Sequence, residues 1–159
     1  MHPRFGVPTA LDYAQRGEIE AWIHAYLLAG DWANPALSDG LKLQRRWWIG
    51  PLELSLNALA RALGPEQGME YQVTPENWDE RTGRIAASLT DPLMVPPLLV
   101  EYRRGELSVR DGNHRHGAMA RKGWSTAWVI IWYNSEADYQ AHRQRLAAVM
   151  DLTGICSDD

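Results

Sequence analysis

The chain has little cysteine: one residue, Cys156, among 159. An internal disulfide is excluded, and a reducing, cytoplasmic compartment is the simplest expectation. Positive charge is also short. Sixteen Lys and Arg face twenty Asp and Glu, for a formal net charge of −4. That argues against a protein held to nucleic acid by bulk charge, although a local basic patch stays compatible with it. No apolar run reaches the roughly 20 residues of a membrane-spanning helix, and the opening "MHPRFGVPTALDYAQ" lacks the apolar core of a signal peptide. There is no Walker A segment, no Cys-x-x-Cys, no Gly-x-Ser-x-Gly, no internal repeat and no low-complexity tract.

What is present is ordinary in bulk and uneven in detail. Hydrophobic content is 45% and charged content 23%, as in soluble globular chains. The length suits one domain with an extension, and such a chain buries roughly 70% of its unfolded surface without staples. Eight tryptophans are many for this size, and most are expected in the core.

Residues 1–65 read as a helical N-terminal extension. Thr9 with Asp12 resembles a capping box. Ile19, Trp22, Ile23, Tyr26 and Leu27 then follow the spacing of one buried helical face, with Gly30 as a C-cap. Residues 31–40 read as loop. Leu52, Leu56, Leu59 and Leu63 predict a second helix, begun near Pro51 and stopped by Gly64 and Pro65. Residues 66–159 read differently. The order there is β-α-β-β-α-β-α: a short strand at Tyr71 and Val73, a helix over 77–89, the apolar run "PLLVEY", a turn at "RRGE", the strand "LSVRD", a helix over 113–122, the strand "TAWVIIWY", and a last helix opened by Ser135 with Asp138. Tyr139, Leu146 and Val149 are expected to face inward on that helix. The fold class is α+β.

The segment from Val109 to Ala118, "VRDGNHRHGA", concentrates chemistry. A strand runs into Gly112, and a helix follows. A helix start offers unpaired N–H groups and the positive end of the helix dipole, and glycine lets an anion come close. Arg115 in the first turn can add a planar fork of donors, and Asn113 and His114 can add more. This is a phosphate-binding arrangement; the alternative is a polar helix start after a glycine turn. Asp111 could orient a hydroxyl, hold Mg²⁺ or fix a histidine tautomer, or simply satisfy local amides. His114 could bond a phosphate or act as general acid. If Arg115 serves an anion, its replacement costs binding and spares folding; if it pairs with Asp111 or Glu101, the reverse holds. His116 is expected to face away. "QRRWW" at Gln44–Trp48 could stack a base or dock a helix edge on the sheet.

The stretch "VPPLLVEYRRGELSVRDGNHRHGAMARKGWSTAWVIIW" resembles the ParB/sulfiredoxin-like superfamily. That family has an apolar strand after a proline, a hairpin, Gly-x-(His/Arg)-Arg-x-x-Ala, a glycine and a final strand. Gly112, His114, Arg115 and Ala118 fall on the motif. The resemblance implies a small mixed sheet with helices. It also implies that Gly112, Asn113, His114 and Arg115 cradle nucleotide phosphates, while Ala118 packs the helix on the sheet. Sulfiredoxins carry a cysteine where Asn113 stands, so thiolate chemistry is not expected. Partition-type ParB proteins carry a helix-turn-helix domain after the motif, and only one helix is predicted here. The form Asp111-Gly112-Asn113-His114-Arg115 is similar to that of the ParB-like free serine kinases.

That similarity implies a nucleotide, ATP or ADP, with Mg²⁺ bridging its phosphates. It implies phosphoryl transfer to a small hydroxylated acceptor, or nucleotide hydrolysis, with Asp111, His114 and Glu76 in the catalytic roles. Glu76 enters because the kinases use an acidic base after the first strand. A non-catalytic nucleotide-gated interaction module is the rival reading. A ParB-like nuclease is a third, disfavoured by the acidic charge and the lack of a metal-carboxylate cluster. No protein-held metal, nucleic acid or membrane is expected.

Overall fold

The computed structural model describes residues 3–30 and 33–152; Cys156 lies outside them. Three helices come first: α1 (Val7–Gln15), α2 (Ile19–Leu27) and α3 (Pro35–Leu41). Strands β1 (Trp47–Ser55), β2 (Ala60–Arg61), β3 (Leu63–Gly64) and β4 (Tyr71–Gln72) follow, then α4 (Pro75–Ser88). The hairpin of β5 (Leu98–Arg103) and β6 (Glu106–Asp111) leads into α5 (Asn113–Arg121), β7 (Thr126–Tyr133) and α6 (Glu136–Leu152). From residue 71 onward this is the order expected from the sequence, and the α+β class holds. Among the described residues no helix is long and apolar enough to cross a membrane.

The main sheet has strand order β1-β7-β5-β6-β2. β5 pairs antiparallel with β6 and parallel with β7, β1 pairs antiparallel with β7, and β2 pairs parallel with β6. β3 and β4 form a separate two-stranded ladder. The period-2 alternation of β7 splits its side chains between two cores. Val129, Ile131 and Tyr133 join Val100, Tyr102, Val109, Ala118 and Met119. Ile130 and Trp132 join Leu99 and the α1–α2 residues Ala10, Trp22, Ile23, Tyr26 and Leu27. "TAWVIIWY" is thus buried on both faces, as its unbroken apolar run predicts.

The segment before residue 65 departs from the helical expectation. The helix predicted over Leu52–Leu63 is strand β1, a 3-10 turn at Leu56–Ala58 and strands β2 and β3. The leucine spacing matched a helix, but the local sequence Leu52-Glu53-Leu54-Ser55 alternates, and Leu52 and Leu54 pair with Val129 and Ala127. Pro51 sits at a break in the β1 register between Ile49 and Leu52. β1 is an edge strand, where proline costs no ladder bond. Residues 35–41, expected as loop, form α3, capped by Asn34 Oδ1 accepting from the Leu37 N–H at 3.2 Å. The N-cap of α1 is Gly6 rather than Thr9, and Leu28, not Gly30, caps α2. Ser135 Oγ does accept from the Asp138 N–H at 3.2 Å, but Val149, expected inward, is exposed; His142 of α6 is buried.

Candidate functional site

A β-bulge shapes the site. Val109 pairs with Val100, but Asp111 pairs with Leu99, so Arg110 is the extra residue in β6. Strict alternation would send Arg110 and Asp111 to opposite faces; a bulge turns neighbours to the same side. Val109 faces the core under α5, whereas Asp111 pairs with Leu99 of the α1–α2 core. Gly112 then adopts φ +100 and ψ 22, and α5 begins at Asn113. A Cβ at Gly112 would lie 2.6 Å from both Leu98 Cδ2 and Arg115 Nη2. Glycine is required here by backbone conformation and by space.

Asp111, Arg115 and Tyr26 form one hydrogen-bonded cluster. Arg115 Nη2 donates to Asp111 Oδ2 at 3.1 Å and Nη1 to Tyr26 Oη at 2.6 Å, while Tyr26 Oη donates to the same Asp111 oxygen at 2.9 Å. Arg115 is only 5% exposed. Burial opposes its charge, but Tyr26 and Asp111 beside it carry its pKa above the ordinary arginine value. Burial likewise holds the Tyr26 hydroxyl protonated well above the usual tyrosine range. An aromatic set fixes Tyr26: its ring stacks on Trp22 at 5.3 Å and meets Phe5 edge-on at 5.7 Å, and Trp22 Nε1 donates to Thr9 Oγ1 at 3.1 Å. The first two helices therefore supply a member of the site.

The cleft beside this cluster has a volume of about 260 Å³ and is lined by Tyr26, Arg81, Asp111, His114 and Arg115, among others. Arg81, on α4, is exposed and makes no ion pair or hydrogen bond among the described residues. His114 is half-buried, its ring 5.0 Å from that of Trp78, and its Nε2 is buried without a partner. Burial, aided by Arg81, lowers its pKa to about 4. It is a neutral imidazole at pH 7, suited to hydrogen bonding and not to presenting a positive charge. No side chain caps the N-terminus of α5 among the described residues.

Several sequence expectations change. The Arg115 fork, expected on a phosphate, is engaged by Asp111 and Tyr26, because a cation at a helix N-terminus needs an answering anion and the bulge delivers one. The Asn113 side chain, expected as a ligand donor, is used internally. Its Oδ1 accepts from Ala62 N at 2.9 Å and Leu63 N at 3.3 Å, and its Nδ2 donates to Val109 O at 3.0 Å. Glu76 is exposed in the first turn of α4 and does not line the cleft. His116 faces away as expected, with Nε2 3.1 Å from Leu56 O. Ala118 is fully buried in the core. Gly117 lets α4 approach, since a Cβ there would overlap the Trp78 ring. Arg46 of "QRRWW" docks α3, donating to Gly40 O at 3.0 Å and Leu41 O at 3.3 Å, and Trp48 packs against the α1–α2 core. Sequence reasoning missed Tyr26 and Arg81. A tyrosine on a buried helical stripe needs a hydroxyl partner, which was the available signal for Tyr26; an exposed arginine on an amphipathic helix gives none.

Asp111 is the one carboxylate lining the cleft among the described residues, and its Oδ2 already serves two donors. No group of three or more His, Cys, Asp or Glu able to hold a metal occurs among the described residues. The described residues do not compose a protein-held Mg²⁺ site.

The chain matches no protein-family profile and no curated protein. Among solved structures it is similar to a Pnob8-like ParB-N domain, at 13% identity and TM-score 0.35, over 72% of this chain and 40% of that one. It is also similar to the C-terminally truncated chromosome-partitioning protein ParB from Caulobacter crescentus complexed with CTP-γ-S. There the identity is 22% and the TM-score 0.35, over 61% of this chain and 54% of the other. The chain thus spans about half the length of these structures or less. The likeness concerns arrangement; CTP-γ-S is a ligand of the Caulobacter protein.

Proposed function

We propose that this protein binds a phosphate group of a nucleotide at the N-terminus of α5. The observation that carries the reading is the uncapped helix start after a left-handed Gly112, opening into a cleft where Arg81 has no partner among the described residues and His114 is neutral. Free N–H groups and the helix dipole favour an anion there, Arg81 adds charge, and His114 adds a hydrogen bond. Arg115 acts through Asp111. An unpaired carboxylate about 4 Å from a phosphate would oppose it by about 4 kcal/mol per charge pair at an effective dielectric near 20. The Arg115 guanidinium, with the Tyr26 hydroxyl, neutralises that carboxylate and holds the Gly112 turn in place.

The reading is a binding module, not a phosphotransferase. Transfer to a hydroxylated acceptor calls on a base; Glu76 stands outside the cleft, and the Asp111 Oδ2 is engaged by Arg115 and Tyr26. The test is a titration with inorganic phosphate, ATP and CTP, followed by the backbone amide resonances of residues 113–115 and by thermal shift. Those amides should move, and Arg81→Gln should weaken binding by roughly one to two decades, the worth of a charge-assisted hydrogen bond, with the ligand-free melt unchanged. Static amides at saturating phosphate would defeat the proposal. Nucleotide consumption that depends on a hydroxyl acceptor would restore the kinase reading.

A further inference from the structure

On the other side of the β6 bulge lies a second hollow, of about 390 Å³, whose lining includes Arg46, Arg103, Arg110, Glu101, Leu41 and Trp132. It shares no lining residue with the α5 cleft. Three arginines meet two carboxylates there, Glu101 in the lining and Glu70 beside Arg103 and Arg110, which leaves one positive charge in surplus in a chain whose net charge is −4. Glu101 is already served: Asn134 Nδ2 donates to its Oε2 at 3.0 Å, and Arg110 Nε lies 3.3 Å from its Oε1. Arg110 Nη1 donates to Glu70 at 2.7 Å. Arg46 is held by the α3 carbonyls and Asn134. Arg103 is held loosely. Its ion contacts, to Glu101 at 3.6 Å and Glu70 at 3.8 Å, are both longer than a hydrogen bond, and its side chain is 48% exposed.

One donor among the lining residues lacks an acceptor. The Trp132 indole Nε1 is buried without a partner among the described residues, in a residue only 3% exposed, whereas Arg110 Nε keeps its ion contact with Glu101 Oε1 at 3.3 Å. A buried donor left unpaired costs about 1–3 kcal/mol, so an acceptor arriving from the hollow finds an incentive there. We propose that this hollow is a second binding site, for a small oxyanion, carboxylate or phosphate, held by the Arg103 guanidinium with Arg110 and Arg46 around it. Surplus positive charge supplies the attraction, and the planar Arg103 fork supplies bidentate geometry. The adjoining hollow at the sheet edge also carries Arg103 and Arg110, with Arg61, Arg104, Glu70 and Glu106.

The experiment is a titration of the whole chain with malonate in one arm and inorganic phosphate in another, read by the Trp132 indole N–H resonance, which Trp132→Phe assigns. Both arms should shift that resonance if the oxyanion alone is recognised; a shift in one arm names the source. Arg103→Gln should weaken the interaction at least tenfold, Arg103→Lys should recover part of it, and Arg81→Gln should leave it unchanged. Arg103 is half-exposed, so the variant should keep the parent spectrum, which checks folding directly. A Trp132 resonance that stays still in both arms, or shifts equally in parent and Arg103→Gln, overturns the proposal.

Discussion

The two arginine centres flanking the β6 bulge use the same chemistry at different depths. At Asp111–Arg115 the side chains are 12% and 6% exposed and Tyr26 closes the third side. Around Glu70, Arg103 and Arg110 the carboxylate is 46% exposed and Arg103 is 48% exposed, while Arg110 is 12% exposed and keeps Glu101 beside it. Water screens Glu70 and Arg103, so their contact gives little stability and leaves Arg103 donors for a ligand. Water barely reaches the Asp111–Arg115 pair, so breaking it leaves a bare charge inside the protein. Depth decides which arginine organises the fold and which can receive an anion, and the motif arginine falls on the organising side.

The largest expected effect tests that contrast. Asp111→Ala strands the Arg115 cation and should cost about 3–5 kcal/mol of stability, whereas Glu70→Ala should cost less than about 1 kcal/mol. Urea unfolding of both variants measures the difference. Comparable losses would erase the distinction between the two centres. Arg115→Ala belongs with the large effects for the same reason, against the sequence expectation that its removal spares folding.

A smaller effect sharpens the geometry. Gly112→Ala places a Cβ 2.6 Å from Leu98 Cδ2 and Arg115 Nη2 in a left-handed backbone. Forcing that conformation on a residue with a side chain costs about 1–3 kcal/mol, and displacing Arg115 also loosens its hold on Asp111. The variant should melt lower and bind phosphate more weakly, whereas Gly105→Ala at the hairpin turn, where nothing lies within 4 Å of the added Cβ, should lose stability without touching phosphate binding. Equal phosphate affinity in parent and Gly112→Ala would detach the turn from the site.

How much was legible follows from what each signal measures. From Tyr71 onward, turn residues and apolar runs agree, and the elements fall where they were expected. The Leu52–Leu63 segment misled because leucines at helical spacing can also serve strands and a turn: Leu52, Leu56 and Leu59 meet one core while Leu63 lies in β3, and tertiary pairing of β1 with β7 decided it. Within the site, the strand–glycine–helix unit was legible because local backbone conformation makes it. The partner of Arg115 was not, because it depends on a bulge that turns Asp111 toward α2 and on Tyr26, 85 residues away in sequence from Asp111. Asn113 looked like a ligand and is a tie to the Ala62–Leu63 backbone, a contact across the sheet edge that no local pattern carries.

The smallest effect concerns pH and the histidines around α5 and α6. Burial, the largest cause in each case, lowers the pKa of His114 to about 4 and lowers those of His116 and His142. In the unfolded chain each titrates near 6.5. Between those values the unfolded state binds more protons than the folded one, so stability falls as pH falls. The contribution is complete above about pH 6.5 and, for His114, is lost progressively down to about pH 4, below which it changes no further. Carboxylates also titrate in the lower part of this window, so the histidine share needs its own variant. His114→Gln keeps a hydrogen-bonding end group in the cleft and removes one titration. Its stability should decline less steeply than the parent's between pH 6.5 and 4, as read from urea midpoints at half-unit steps. Because Arg81 is the second cause of the lowered His114 value, Arg81→Gln should flatten the same stretch by a smaller amount. A bound phosphate should raise the His114 pKa by answering Arg81, so an imidazole that titrates higher when phosphate is present ties the acid behaviour to the anion cleft. Parallel curves for parent and His114→Gln would show that this ring is not taken from water on folding, and its place in the cleft wall would be lost with that result.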